Sequence, residues 1–247
     1  MKSLIAAFQF LTIFSLSKKN QEMDTALFSR AVRYFPVVGV FLAAVLSILY
    51  VPLSFKFSAQ AVSLILVMIL AVFTKGLHLD GLSDTFDALL SGKSREEMLA
   101  LMKDHWSGAL GTAAVLSIFL LKVFLLAEIP DHSKIPALFL TLTGSRAGMS
   151  LILGNFPSAR GIEGLGSLFK KEMTQHDWMI AVLTSAIVAL ITFPWTGLLS
   201  LAFGLTCVWL FSCYANSKLG GVTGDVCGAA NEIGEVAILF WLKVFLN

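Results

Sequence analysis

Three aspartates, Asp80, Asp84 and Asp87, are spaced by four and three residues in the stretch Gly76-Leu-His-Leu-Asp80-Gly-Leu-Ser-Asp84-Thr-Phe-Asp87. On a helix this rhythm puts all three carboxylates on one face, with Leu79, Leu82, Phe86 and Leu89 on the other. Like charges crowded on one face repel, so the pattern predicts a bound cation or a basic neighbour. Oxygen-only donors suit magnesium, manganese or calcium better than zinc. A solvated acidic face is the plainer alternative, but acidic groups are scarce in this chain and three of them crowd beside an apolar run. His78 falls on the face opposite the aspartates and is not expected to be a ligand.

A second cluster is Gly220-Gly-Val-Thr-Gly224-Asp225-Val-Cys-Gly228-Ala-Ala-Asn231-Glu232. If helical, it places Asp225 and Glu232 on one face, and glycines 220, 224 and 228 form a ridge that another helix or a phosphate can approach closely. Tight packing explains the glycines but not the carboxylates. The stretch lacks the GxxxxGK[ST] pattern of a nucleotide-binding loop. Weaker candidates are Lys103-Asp104-His105, Ser145-Arg146 and Arg160-Gly-Ile-Glu163-Gly-Leu-Gly166. Arg146 sits within an apolar run, so it must face a polar cavity, where its guanidinium suits bidentate phosphate recognition, or a structural salt bridge. Lys122 and His176 read as snorkelling or surface residues.

The elements that must position these groups are transmembrane helices. Of 247 residues, 57% are hydrophobic and 14% charged, with a mean hydropathy of +0.82, whereas soluble domains carry about a quarter charged residues. Apolar runs long enough to span hydrocarbon cover Phe35 to Leu53, Ala59 to Leu79, Gly108 to Glu128, Ile135 to Gly154, Trp178 to Pro194, Gly197 to Tyr214, and about Gly228 to Leu246. The last begins with Asn231, Glu232 and Glu235, so it either starts in a polar cavity or dips in and returns. The stretch from Ser3 to Leu16 is short and lacks a small-residue cleavage site, which predicts a retained interfacial or re-entrant segment. The loops 17–34, 80–107, 155–177 and 215–227 hold Lys18, Lys19, Arg30, Arg33, Lys93, Arg95, Lys103, Arg160, Lys170, Lys171 and Lys218, while Lys56 and Lys134 stand opposite. This asymmetry puts the long loops in the cytoplasm. A net charge of +2 without a dense basic block excludes nucleic acid as a partner. Cys207, Cys213 and Cys227 form no CxxC pair and read as reduced packing residues. The expected fold is an all-α polytopic transmembrane bundle of about six to seven spans, one integral membrane domain over residues 1–247 with cytoplasmic active-site loops.

At these motifs the chain resembles the cobalamin synthase family, the adenosylcobinamide-GDP ribazoletransferases, from end to end. The likeness rests on His78-Leu-Asp80-Gly-Leu-Ser-Asp84-Thr-Phe-Asp87, Met102-Lys-Asp104, Ser145-Arg146, Glu163-Gly-Leu-Gly166, and Gly220-Gly-Val-Thr-Gly-Asp225 with Gly228 and Glu232. It implies transfer of adenosylcobinamide phosphate from adenosylcobinamide-GDP to the ribose 3′-hydroxyl of α-ribazole or its 5′-phosphate, with GMP released and Mg2+ required, at the cytoplasmic face of a bacterial inner membrane. In that light Asp80, Asp84 and Asp87 are expected to hold the metal. Asp84, Asp104, Asp225 and Glu232 are expected to act in catalysis, the last two closing the site or one of them serving as general base. Arg146, Arg160 and Lys103 are expected to hold the substrate phosphates or to balance the carboxylates, with Gly221, Thr223 and Gly224 at the same substrate site. Membrane lipid is the other expected partner, and homo-oligomerisation is left open. The spaced aspartates also look like a distant cousin of the CDP-alcohol phosphotransferase motif, but its DGxxAR signature is missing. An ion-coupled transporter is the rival from another class, and most of the carboxylates fall at the cytoplasmic edge and not at the midplane where transporter sites lie.

Overall fold

Inside a bilayer every backbone N–H and C=O must be satisfied within the protein, and a continuous apolar run of about twenty residues does so as a helix. The computed structural model describes residues 2–14, 25–103, 107–161 and 169–246, and helices dominate them. In chain order these are α1 (Lys2–Leu11), α2 (Thr25–Ala31), a 3-10 turn (Val32–Tyr34), α3 (Phe35–Ser54), α4 (Ala59–Phe73), α5 (Leu77–Leu89), α6 (Arg95–Leu101), α7 (Ala109–Glu128), α8 (Asp131–Asn155), α9 (Gln175–Thr192), α10 (Pro194–Leu219) and α11 (Gly224–Phe245).

Among the described residues five helices are long and apolar enough to cross a membrane: the continuous rod Leu27–Ser54, then α7, α8, α9 and α10. The expected span Ala59–Leu79 is corrected by the structure, since α4 stops at Phe73 and α5 leaves it at 88°. The cause is local. Thr74 caps the last turn with its hydroxyl on the Leu70 carbonyl, and Lys75 (φ 56°) and Gly76 (φ 66°) then take left-handed backbone, which a helix cannot continue through. Counted as one broken span, α4 and α5 bring the total to six.

The seventh expected span is α11. It is one continuous helix, not a dip and return, but too acidic to pass as a lipid-facing segment. Its solution is burial: it packs against α5, α7, α8 and α10. α8 is the other inner helix, with 83% of its apolar window buried against 22% for α7 and α9. Large apolar side chains such as Ile48, Leu183 and Ile191 face outward, as a lipid-contacting surface requires. α1, at about 15 Å, is too short to cross. It packs on α2 and α3, and just beyond it the Ile13 amide donates to the Phe73 carbonyl at the α4–α5 break.

Candidate active site

Two carboxylates meet where α5 crosses α11. A Cβ on Gly81 would lie 2.7 Å from the carbonyl oxygen of Asp225, and one on Gly228 would lie 3.2 Å from the Cα of His78. The two helices therefore touch backbone to backbone, and only glycine permits it. The crossing brings Asp80, in the first turn of α5, and Asp225, in the first turn of α11, onto the wall of one small cavity of ≈ 70 Å³ that Phe10, Phe35, His78 and Phe169 also line. Asp80 and Phe10 are shared with a larger open cavity of ≈ 610 Å³, bounded further by Lys75, Ser83, Ser107 and Thr112. Asp80 is exposed and is uncommitted among the described residues.

The other aspartates of the motif diverge in role. Asp84, half-buried, follows one turn on. Asp87 caps α7: its two oxygens accept from the amides of Gly108 (2.6 Å) and Gly111 (2.8 Å), so its charge sits on that helix's positive end. The expected trio is thus not a ready-made cluster, and among the described residues no group of three acidic, histidine or cysteine side chains is gathered as for a metal.

The Gly-rich turn before α11 is built by hydrogen bonds. The Ala159 amide donates to the Val222 carbonyl and the Val222 amide to the Pro157 carbonyl, and a Cβ on Gly221 would strike Ala159 N at 2.5 Å. Gly221 therefore serves packing against loop 157–160. Thr223 caps α11, accepting from the Val226 amide and donating its hydroxyl to Asp225 (3.2 Å). Gly224 borders open space in the small cavity. Arg160 reaches from loop 157–160 to donate to Met102 O (3.3 Å) and Asp225 Oδ2 (3.4 Å), while its buried Nε has no partner. Lys103 is exposed. Asp104, Glu163 and Gly164 to Gly166 lie outside the described residues.

About 10 Å further along α11, two other expectations are corrected. Glu232 is not at the cavity with Asp225. It accepts from Lys122 Nζ of α7 at 2.6 Å, and Lys122 also donates to Glu235 at 2.9 Å. Lys122 is thus buried, not snorkelling, whereas His176 is on the surface as expected. Arg146 of α8 donates to Glu235 and to Ser145 Oγ and is wholly buried, so of its two expected roles the structure shows the salt bridge that balances a carboxylate. Two cations balance two anions, as burial of charge requires. The Asn231 amide nitrogen lies 3.1 Å from Glu235 Oε1 and 3.0 Å from His78 Nδ1. Because that nitrogen faces a carboxylate, it must donate to His78 Nδ1, which fixes the imidazole proton on Nε2. His78 thereby ties α5 to α11 beneath the two aspartates. Sequence reasoning missed Glu235 and His78 as partners. Yet the signal was there, because Lys122 is the sole cation in its run and Glu232 and Glu235 recur at helical spacing.

Residues 3–243 match the family model described as cobalamin-5-phosphate synthase. An adenosylcobinamide-GDP ribazoletransferase of Caldanaerobacter subterraneus subsp. tengcongensis is 33% identical over 99% of this chain and 98% of its own length. One from Desulforamulus reducens is 34% identical over 96% of this chain and 94% of its own length. Another, from Escherichia coli O17:K52:H18, is 30% identical over 96% of this chain and 97% of its own. No solved structure matches the chain.

Proposed function

The chain belongs to the cobalamin-5-phosphate synthase family, and on that premise we propose that it moves adenosylcobinamide phosphate from adenosylcobinamide-GDP onto α-ribazole or its 5′-phosphate, releasing GMP. The observation that carries the placement of the site is the meeting of Asp80 and Asp225 on one cavity wall beside the ≈ 610 Å³ opening, large enough to admit part of a bulky substrate.

In this reaction a ribose hydroxyl oxygen bonds to the cobinamide-side phosphorus, the bond from that phosphorus to the GMP oxygen breaks, and the hydroxyl proton must be taken up. We assign that uptake to Asp225, which lines the cavity and is oriented by Thr223 and Arg160, whereas Glu232 lies deeper, paired with Lys122. The unpartnered Nε of Arg160 is a donor free for a phosphate oxygen. Asp80 and Asp225 also fit magnesium. That ion commonly takes one or two carboxylates and completes its shell with water and substrate phosphates, so a third convergent carboxylate is unnecessary and Asp87 can remain a helix cap. Bound there, Mg2+ would neutralise the diphosphate and the departing GMP. The eleven-to-two sorting of basic residues supports a cytoplasmic site in the inner membrane. The transporter reading is not favoured, since the cavities at the depth of the paired charges are only ≈ 20 and ≈ 10 Å³.

The test is protein in lipid nanodiscs supplied with adenosylcobinamide-GDP, α-ribazole and Mg2+. GMP and the cobalamin product should appear in equal amounts and cease with EDTA. GMP release that ignores α-ribazole, or none at all from folded protein, overturns the reading.

A further inference from the structure

We propose that Lys75 is a binding residue for the phosphate groups of the nucleotide-activated substrate, an inference that rests on the reading above for its site but carries its own test. Among the described residues it is the one non-glycine with positive φ, at 56°. It occupies the position just past the end of α4 where glycine is usual, and its amide and that of Gly76 donate back to Val72 O and Ala71 O. That turn needs left-handed backbone but not a side chain, and the Cβ there costs about 1–2 kcal/mol. Residues held in such conformations concentrate at functional sites.

What the lysine faces gives the reason. Lys75 lines the ≈ 610 Å³ cavity together with Asp80. It is exposed and has no ion-pair or hydrogen-bond partner for its ammonium among the described residues. Arg95 is committed to the Leu219 and Ala159 carbonyls and Arg160, apart from its Nε, to Met102 O and Asp225, and neither lines this cavity. Ser83, on the same wall, has a buried hydroxyl without a protein partner among the described residues. A wall carrying Asp80 repels a diphosphate unless a cation stands beside it, and Lys75 supplies one.

Phosphate at this level has two sources, the substrate and an anionic lipid headgroup, and the substrate is the one assigned. Lys75→Gly and Lys75→Arg are compared with wild type in nanodiscs of zwitterionic and of anionic lipid. Lys75→Gly should unfold at the same or a higher temperature, because strain is relieved. It should raise KM for adenosylcobinamide-GDP about tenfold or more, the size of a hydrogen bond to a charged group, leave KM for α-ribazole unchanged, and weaken binding of GDP alone by a similar factor. Lys75→Arg should stay within a few-fold. GDP binding needs no turnover, so an inactive wild type whose GDP affinity still depends on Lys75 removes the proposed reaction and keeps this assignment. Unchanged KM and GDP affinity in folded Lys75→Gly overturns it, as does an effect confined to anionic nanodiscs. A lowered unfolding temperature with unchanged KM would mean that the lysine serves the α4 dipole.

Discussion

Gly81→Ala is the sharpest test of how the site is assembled. The added Cβ would meet the Asp225 carbonyl oxygen at 2.7 Å and its Cα at 3.0 Å, where ordinary contact begins near 3.4 Å. The obstacle is backbone and cannot rotate away, so α5 and α11 must part by about half an ångström or more. Overpacking of this kind costs about 1–3 kcal/mol, and alanine's helical advantage over glycine returns about 1 kcal/mol, leaving a stability loss of roughly 0–2 kcal/mol. Catalysis should suffer more. Since a displacement of about 1 Å can cost on the order of a hundredfold in rate, kcat for GMP release should fall between about tenfold and a hundredfold, with KM for both substrates near wild type. Gly228→Ala is the graded control: its nearest atom is the His78 Cα at 3.2 Å, so a few tenths of an ångström suffice and kcat should stay within a few-fold. The assay is steady-state GMP release in nanodiscs, alongside thermal unfolding in the same preparation. Wild-type kcat in folded Gly81→Ala, or equal losses in the two variants, would refute the idea that this crossing sets the distance between Asp80 and Asp225.

Lys122→Met should destabilise by about 3–5 kcal/mol, the usual result of stranding a buried charge, and adding Glu232→Gln should restore much of it in thermal unfolding; a Lys122→Met protein as stable as wild type would mean the quartet is not charge-paired. Asp80→Asn should fold normally and bind magnesium far more weakly by calorimetry, whereas Asp87→Ala should lose about 0.5–2 kcal/mol of stability as a lost cap and keep its magnesium affinity. The opposite pairing of effects would return Asp87 to the metal site. Cysteine at exposed Lys93 should be labelled from the cytoplasm and cysteine at exposed His132 from outside, and the reverse labelling would invert the topology.

Composition and run length were enough for an all-α membrane bundle, because lipid admits only helices and closed barrels and continuous apolar runs of about twenty residues fit the helix. The break inside the second run was not legible: hydropathy averages over Thr74, Lys75 and Gly76, and the left-handed backbone that turns the chain is a property of individual residues. Periodicity placed Asp80, Asp84 and Asp87 on one face of α5 correctly but could not distinguish a carboxylate turned to a cavity from one capping α7, since the difference depends on where Gly108 and Gly111 arrive from. The same limit hid Lys75, enclosed in an expected span, and misassigned Lys122, whose partners lie over a hundred residues away. Asp225 and Arg160 were singled out because the clusters around them are local, and the structure brings the two within 3.4 Å.

The buried quartet has a consequence for how the chain is made. A lone carboxylate at the centre of an inserting helix is disfavoured by about 2.5–3.5 kcal/mol, and α11 carries two. The cations that neutralise them, Lys122 and Arg146, lie on α7 and α8, which leave the ribosome earlier and must wait in the membrane without counter-ions. Arrival of α11 therefore completes two half-finished neighbours at once. A nascent chain interrupted before Gly224 would leave two stranded positive charges in hydrocarbon, a mark by which membrane quality control can tell an unfinished molecule from a finished one.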